Sequence, residues 1–199
     1  MLEPDLTQPV PATSELIQFW KEADFSLSTR SFPFTLEYVQ ALQRRYENGR
    51  VFFASFQGAA HKVFDWYVSR NDLQGLLFFH KFWHTPTPSK ILSELRVPPT
   101  HENDPRFQST SSFTFAGELA ARLYHGGAYY KAHDSGAEEM QLAERSAHEL
   151  IQDRFSEVLV FVNHIAWSDF FFGVAWDDTW ILLDKRDRAI HILAATDTD

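Results

Sequence analysis

Histidine is the residue type that first suggests chemistry in this chain. The sequence has nine histidines among 199 residues and no cysteine, so a transition-metal site would need imidazole and carboxylate ligands. His80 and His84 stand four positions apart in FFHKFWH, a spacing that places both side chains on one face of a helix or a strand. They are the candidate metal pair, but no third ligand stands at a recognisable spacing. Imidazoles among aromatic residues more often belong to a core or its edge.

Two adjacent glycines with polar neighbours form a second constellation. Paired glycines let a ligand approach the backbone closely, and nearby imidazole, phenol and carboxyl groups can act as acids or bases. The simpler interpretation is that the glycines end a helix, and no phosphate-loop pattern surrounds them. The segment comprises His125, Gly126, Gly127, Tyr129, Tyr130, Lys131, His133 and Asp134.

Aspartates mark the ends of the C-terminal apolar segments. Asp177 and Asp178 precede the apolar run of residues that leads to Asp184, and Asp187 follows in the next connector. Carboxylates at strand ends can bind a hard cation or act in acid–base catalysis, but they also end strands and keep sheet edges soluble. No catalytic partner stands at a fixed spacing from them. We therefore predict that these four aspartates and Trp176 contact a partner molecule.

Motifs for nucleophilic and cofactor chemistry are absent from the sequence. The chain contains no G-x-S-x-G, no G-x-x-x-x-G-K-[ST], no G-x-G-x-x-G, no HExxH and no EF-hand spacing. We therefore expect no cofactor. An enzyme with this sequence would be a small metal-dependent or acid–base hydrolase that uses histidine and aspartate side chains.

The net charge of −9 comes from the C-terminal half of the chain. Residues 1–100 contain 10 acidic and 10 basic residues, whereas residues 101–199 contain 17 acidic and 8 basic residues. An acidic half disfavours binding to nucleic-acid phosphates and is compatible with attraction to a basic protein partner. The alternative is a solvated surface that binds no partner.

Targeting signals are also missing from the sequence. The N-terminus lacks the basic and apolar regions of a secretory signal, and no run of about 18 apolar residues could span a membrane. With no cysteine, the expectation is a soluble cytoplasmic protein that does not interact with a membrane.

Apolar patterning predicts the elements that position these residues. Two apolar runs flank the polar connector 184–188 and predict a β-hairpin, and a third run just upstream predicts an adjoining strand. Helical spacing of apolar residues predicts four helices, and Pro88, which suits the first turn of a helix, predicts a fifth. The strands are expected over residues 179–183, 189–194 and 158–162, with 170–174 and 51–56 as further candidates; the helices over 14–23, 34–47, 89–95, 115–125 and 135–155; and a long loop over 96–112.

The aromatic-rich middle of the chain is ambiguous. Residues 50–84 contain three apolar bursts, at 51–56, 63–68 and 76–79, and their β-branched and aromatic content favours strands. A buried helix over residues 52–67 is the alternative, because periodicity does not distinguish short apolar runs. The same aromatic density makes residues 51–84 a candidate contact surface of a homo-oligomer.

The pattern as a whole predicts a flexible arm over residues 1–13 and a single α+β domain over residues 14–199. Its antiparallel sheet would end in a C-terminal meander and be packed by helices on one face.

One segment resembles a known family. Phe172–Asp184, FGVAWDDTWILLD, is similar in outline to the strand–turn–strand core of the immunity-protein superfamily that includes a yeast cell-wall regulator. The chain lacks the glycine usual in that turn, and its N-terminal half lacks the opening helix motif. The resemblance implies an interaction module. With the charge asymmetry, it favours a non-enzymatic, immunity- or antitoxin-like protein.

Overall fold

The structure is a computed structural model that describes residues 3–99, 105–132 and 135–199. Its strands are β1 (Phe25–Leu27), β2 (Arg50–Gly58), β3 (Gln108–Thr110), β4 (Val158–Asn163), β5 (Asp178–Asp184) and β6 (Ala189–Thr196). Its α-helices are α1 (Thr13–Glu22), α2 (Pro33–Arg45), α3 (Lys62–Ser69), α4 (Phe78–Lys81), α5 (Pro86–Ile91), α6 (Phe115–His125) and α7 (Ala137–Ile151). Short 3₁₀ segments, Phe82–His84 and Leu92–Leu95, follow α4 and α5.

The six strands form one antiparallel sheet in the order β1-β2-β6-β5-β4-β3. Strands β5 and β6 form the predicted hairpin, with Asp184 paired with Ala189 across the connector. The α+β class and the antiparallel C-terminal meander are therefore confirmed. Both strands of the β5–β6 hairpin lie at the centre of the sheet, where each strand has a neighbour on both sides.

Helices cover both faces of this sheet, which corrects the expectation that they cover one. Ile181 of β5 and Ile192 of β6 pack in a core shared with α1, α3 and α4. Trp180 and Leu193, one position away on the same strands, pack in a second core with α2, α6 and α7. The physical reason is that β5 and β6 are apolar at consecutive positions, as is typical of strands buried on both faces.

The ambiguous middle of the chain is mostly helical. The first burst lies in β2 as predicted, but residues 63–68 lie in α3, and residues 76–79 comprise the end of a turn and the first two residues of α4. In α3 the buried residues recur at helical spacing, and the His61 side chain accepts a hydrogen bond from the Val63 amide at 3.2 Å. The strand prediction for these two bursts was wrong. The burst at 63–68 has the apolar spacing of a one-sided helix, and the burst at 76–79 is a short consecutive run whose periodicity does not distinguish a helix from a strand.

The remaining boundaries follow the sequence pattern with local differences. All five predicted helices are present, although residues 89–95 form the end of α5 and the 3₁₀ segment after it. The candidate strand over residues 170–174 is wrong, because these residues form an irregular loop of turn and bend positions. Part of the predicted loop 96–112 forms the edge strand β3, and residues 100–104 lie outside the described residues.

Helices α2 and α7 are joined by a carboxylate cap. Glu149 of α7 accepts hydrogen bonds from the Thr35 amide at 2.8 Å, the Thr35 hydroxyl at 2.7 Å and the Phe34 amide at 3.3 Å. These amides belong to the first turn of α2, where free N–H groups and the helix dipole favour a negative charge. A side chain distant in sequence thus orients the two helices on this face of the sheet.

The N-terminal arm contacts α3. Arg70 donates to the Asp5 carbonyl at 2.5 Å, and the Trp66 indole donates to the Gln8 carbonyl at 3.5 Å. The division into arm and domain remains a prediction. In the described part of the chain, no helix is both long and apolar enough to cross a bilayer.

The aromatic residues of the middle segment build the core on one face of the sheet. Phe56, Phe64, Phe78, Phe82 and Trp83 are all buried there. Packing within the monomer therefore accounts for their density. The homo-oligomer through residues 51–84 remains a prediction, which a mass measurement in solution would test.

Candidate functional site

Asp177 is buried and closes the turn that precedes β5. Its carboxylate accepts hydrogen bonds from the amides of Gly173 at 2.7 Å and Val174 at 3.0 Å, and from the Thr196 hydroxyl at 2.5 Å. The Phe172 amide lies 3.3 Å from the same group. Because amide and hydroxyl donors stabilise an ionised carboxylate, Asp177 fastens this turn to the end of β6.

Asp178, the first residue of β5, is buried, and its carboxylate contacts the side chains of Arg122 and His164. Its Oδ2 is 2.7 Å from Arg122 Nε, and its Oδ1 is 2.6 Å from His164 Nδ1. About half of the His164 side chain remains exposed. A carboxylate that orients an accessible imidazole is the arrangement that general bases use. This pair, which sequence spacing did not reveal, can therefore accept or donate a proton.

Asp184 and Asp187 are bonded within the hairpin connector. The buried Asp184 accepts from the amides of Arg186 at 2.9 Å and Asp187 at 3.0 Å, and it also pairs with Arg154. Asp187 is half exposed and lies 2.9 Å from the same arginine. Arg154 is therefore shared between the two predicted contact residues.

The two other arginines near the connector tip are also paired, whereas Lys185 donates to the neutral Asn71 side chain at 3.1 Å. Arg186 binds Glu157 through two hydrogen bonds of 2.6 and 2.7 Å, and this bonding lowers the pKa of the Glu157 carboxyl. Arg188 binds Asp65 through two of 2.7 and 2.8 Å. Such paired contacts are geometrically specific. The hairpin tip is therefore a set of ion pairs and not an unbalanced acidic rim.

The five predicted contact residues are not brought together on one exposed surface. Asp177, Asp178 and Asp184 are buried, Asp187 is half exposed, and Trp176 is half-buried against the core shared with α2, α6 and α7. The prediction that they contact a partner remains untested. Their observed bonds place three of them in the interior as structural groups.

The candidate metal pair lies at the end of α4. His80 is half-buried, and His84 is exposed at the end of the following 3₁₀ segment. Partial burial, with the nearby Lys81 charge, lowers the pKa of His84. Among residues 3–99, 105–132 and 135–199, no three His, Cys, Asp or Glu side chains converge as a metal site would require.

The paired glycines have a structural role in the described residues. Gly126 ends α6 with φ +63°, and a Cβ at Gly127 would lie 1.9 Å from Asp197 Oδ2. Asp197 accepts hydrogen bonds from the amides of Asn48 at 3.0 Å and Ala128 at 2.9 Å. The interpretation that the glycines end a helix is confirmed by Gly126. At Gly127, only glycine permits the close approach to Asp197. His133 and Asp134 of the same constellation lie outside the described residues.

An apolar groove between α6 and α7 was missed by sequence reasoning. Its volume is about 830 Å³. Phe113 at its edge is 75% exposed and stacks on Phe155 at a centroid distance of 4.8 Å, and Met140 is also exposed. At Gly117 a Cβ would meet no atom within 4 Å, so the groove is open there. We call this feature the α6–α7 groove; small residues on α6 beside an exposed aromatic were its sequence signal.

A buried histidine gives the fold a pH dependence. His191 of β6 lies opposite Ser55 of β2, whose hydroxyl is 2.9 Å from His191 Nδ1. Burial, followed by the charges of Arg30 and Arg154, lowers the pKa of His191 to about 3 from the ordinary value of 6.5. The folded protein therefore contains neutral His191 at pH values where the unfolded chain would protonate it.

Stability should consequently fall as the pH falls below 6.5, because the unfolded state then binds a proton that the folded state rejects until about pH 3. Well above pH 6.5, the stabilising contribution of neutral His191 is fully present. His191→Gln should reduce the pH dependence of the unfolding free energy between about pH 4 and 6 by up to about 1.4 kcal/mol per pH unit. Urea unfolding across this range, with exposed His125→Gln as control, measures it. An unchanged slope in His191→Gln would contradict the assignment.

Comparison of the chain with protein-family models, with curated proteins and with solved structures found no match. The segment Phe172–Asp184 that resembles the immunity-protein core forms a turn followed by β5, where the resemblance implies two strands. The function must therefore be inferred from the geometry of the described residues.

Proposed function

We propose that the protein is a non-enzymatic protein-interaction module of the immunity or antitoxin kind, and that its α6–α7 groove binds a basic amphipathic helix of a partner. The single observation that supports this most strongly is the open apolar groove in the acidic half of the chain. The proposal includes a cytoplasmic location and excludes nucleic acid and membranes as partners.

The apolar character of the groove supports a protein partner. Phe113 is 75% exposed and Met140 is 39% exposed, and both line the groove. Contiguous exposed apolar surface is typical of interaction sites, and methionine adapts to the shape of a partner. A helix laid between two helices places side chains at intervals of three and four residues into such a groove.

The charge of the groove favours a basic partner. Glu118 of α6 accepts hydrogen bonds from Thr110 at 2.9 Å, Thr114 at 3.1 Å and the Trp180 indole at 3.1 Å. These donors are neutral, so they orient the carboxylate and leave its charge in place. Glu144 of α7 is exposed on the other wall. Each wall therefore carries a negative charge that a lysine or arginine of the partner would meet.

A synthetic helix tests this proposal without knowledge of the natural partner. A Leu/Lys peptide of about 14 residues with helical spacing would span about 21 Å, similar to the length of α7. We expect saturable binding that weakens with salt, because part of the attraction is between exposed charges. Gly117→Trp should block the groove and lower the affinity at least about tenfold, and Glu144→Lys should lower it several-fold. Isothermal titration calorimetry measures each affinity.

The control is Glu94→Lys, which changes the net charge as Glu144→Lys does but lies beside the core on the opposite face of the sheet. It should bind the peptide as the unmodified protein does. Equal losses in both lysine variants would indicate general charge attraction, and retained affinity in Gly117→Trp would place binding elsewhere. Either result would overturn the proposal.

The second candidate function is acid–base catalysis, and the His164–Asp178 pair is the observation that favours it. If this pair is catalytic, the protein should hydrolyse chromogenic esters with a rate that depends on the imidazole. His164→Gln would then abolish turnover, whereas exposed His125→Gln would preserve it. If the unmodified protein hydrolyses a panel of esters no faster than His164→Gln does, this candidate function is ruled out.

A further inference from the structure

A pocket of about 510 Å³ opens beside the hairpin connector and the segment between β1 and α2. Ser28, Arg30, Phe32, Arg188 and His191 are among its lining residues, and we call it the Arg30 pocket. We propose that the Arg30 pocket binds a small molecule that carries a phosphate group, with Arg30 as the charged contact. This site is independent of the proposed interaction function.

Arg30 supplies a positive charge that the fold does not neutralise. Its guanidinium donates to the Glu149 main-chain carbonyl and stacks over the Phe32 ring with 5.0 Å between Cζ and the ring centroid. The Glu149 carboxylate bonds to Thr35 at the start of α2. Within the described residues no ion pair involves Arg30. Its remaining N–H groups can therefore bind an oxyanion, which suits their fixed planar geometry.

The other charged residues that line the pocket have charged partners. Arg186 and Arg188 line it as well, but each pairs with a carboxylate, Glu157 and Asp65 respectively. Asp187 also lines the pocket and shares Arg154 with Asp184, so one negative charge of this trio is not neutralised by Arg154. The lining nevertheless contains three arginines against this single carboxylate, and Arg30 is the arginine without a carboxylate partner among the described residues. The pocket is therefore suited to an anion.

The position of Arg30 is fixed by its neighbours. The Arg30 amide donates to the Ser28 hydroxyl at 3.2 Å, which shapes the loop between β1 and α2. The buried Phe32 ring contacts the guanidinium and also packs edge-on against the His191 ring, with 5.3 Å between the ring centroids and an angle of 73°. A charged group so placed loses little conformational freedom when a ligand binds.

His191 adds a neutral hydrogen-bonding group to the pocket. It is 2% exposed, and it uses Nδ1 to contact the Ser55 hydroxyl at 2.9 Å. When that hydroxyl donates to Nδ1, the Nε2 atom carries the ring proton and is a donor. The pocket thus combines a cation from the loop before α2 with a polar group from β6.

The size and composition of the pocket favour a phosphate-bearing molecule over a bare ion. Its volume of about 510 Å³ lies in the range of small-molecule sites, roughly 300–1,000 Å³, and exceeds what inorganic phosphate fills. A tetrahedral phosphate offers acceptors in several directions, which matches donors that come from separate segments of the chain. A planar carboxylate would engage fewer of them.

Inorganic phosphate is the simplest probe of this site. Titration of the full chain at constant ionic strength, with chloride as the replaced anion, should shift the NMR signals of the His191 ring in a saturable manner. Arg30→Gln should weaken the apparent affinity about tenfold or more, because a charge-assisted hydrogen bond is lost. Arg30→Lys should retain part of it, since lysine binds phosphate as a point charge.

The matched control is Arg44→Gln, which removes the same charge from the exposed far end of α2 and should leave phosphate binding unchanged. Titration with acetate is a second control, and acetate should bind more weakly than phosphate. Three results would overturn the proposal: no saturable His191 shift with phosphate, equal losses in Arg30→Gln and Arg44→Gln, or acetate binding as tight as phosphate binding. Comparable unfolding free energies of the variants would confirm that they are folded.

Discussion

A carboxylate that leaves water must be bonded inside the protein, and this constraint shapes the C-terminal half of the chain. Asp177, Asp178, Asp184 and Asp197 lie at the ends of the two central strands and are all buried. Main-chain amides, a hydroxyl or arginines contact each of them. The turn before β5, the hairpin connector and the chain end therefore have their conformations set by these four groups.

The pairing of these buried charges determines which charges remain unpaired at the surface. The connector arginines are paired, so an unbalanced charge appears elsewhere: negative on α6 and α7, and positive at Arg30. The two proposed sites therefore differ in chemistry. The α6–α7 groove is apolar with carboxylates on its walls, whereas the Arg30 pocket is polar and suited to an anion.

Elements with a clear local signal were predictable from the sequence. The β5–β6 hairpin and helices α6 and α7 have strong periodicity and end at glycine or polar residues. The bursts at 63–68 and 76–79 were misassigned because short aromatic runs suit either conformation. Coverage of the sheet on both faces could have been inferred from the consecutive apolar positions of β5 and β6, which are unlike the alternation of a half-exposed strand.

The candidate sites were harder to predict because they depend on contacts between distant segments. The sequence shows Asp178, but it does not show that Arg122 and His164 meet it, or that Arg154 meets Asp184. Aspartates flanking strands were consequently interpreted as surface groups. The α6–α7 groove requires two helices to lie side by side, and the Arg30 pocket requires a loop, a helix end and a strand. Neither arrangement has a local sequence pattern.

The equilibrium unfolding free energy of an Asp177 variant tests most directly whether the buried carboxylates stabilise this fold. Asp177→Ala leaves the amides of Gly173 and Val174 and the Thr196 hydroxyl without their acceptor, so the loss should be about 3 kcal/mol. Asp169→Ala, at an exposed position in the same loop, should change it by about 0.5 kcal/mol or less. An Asp177→Ala effect as small as that of Asp169→Ala would contradict the account.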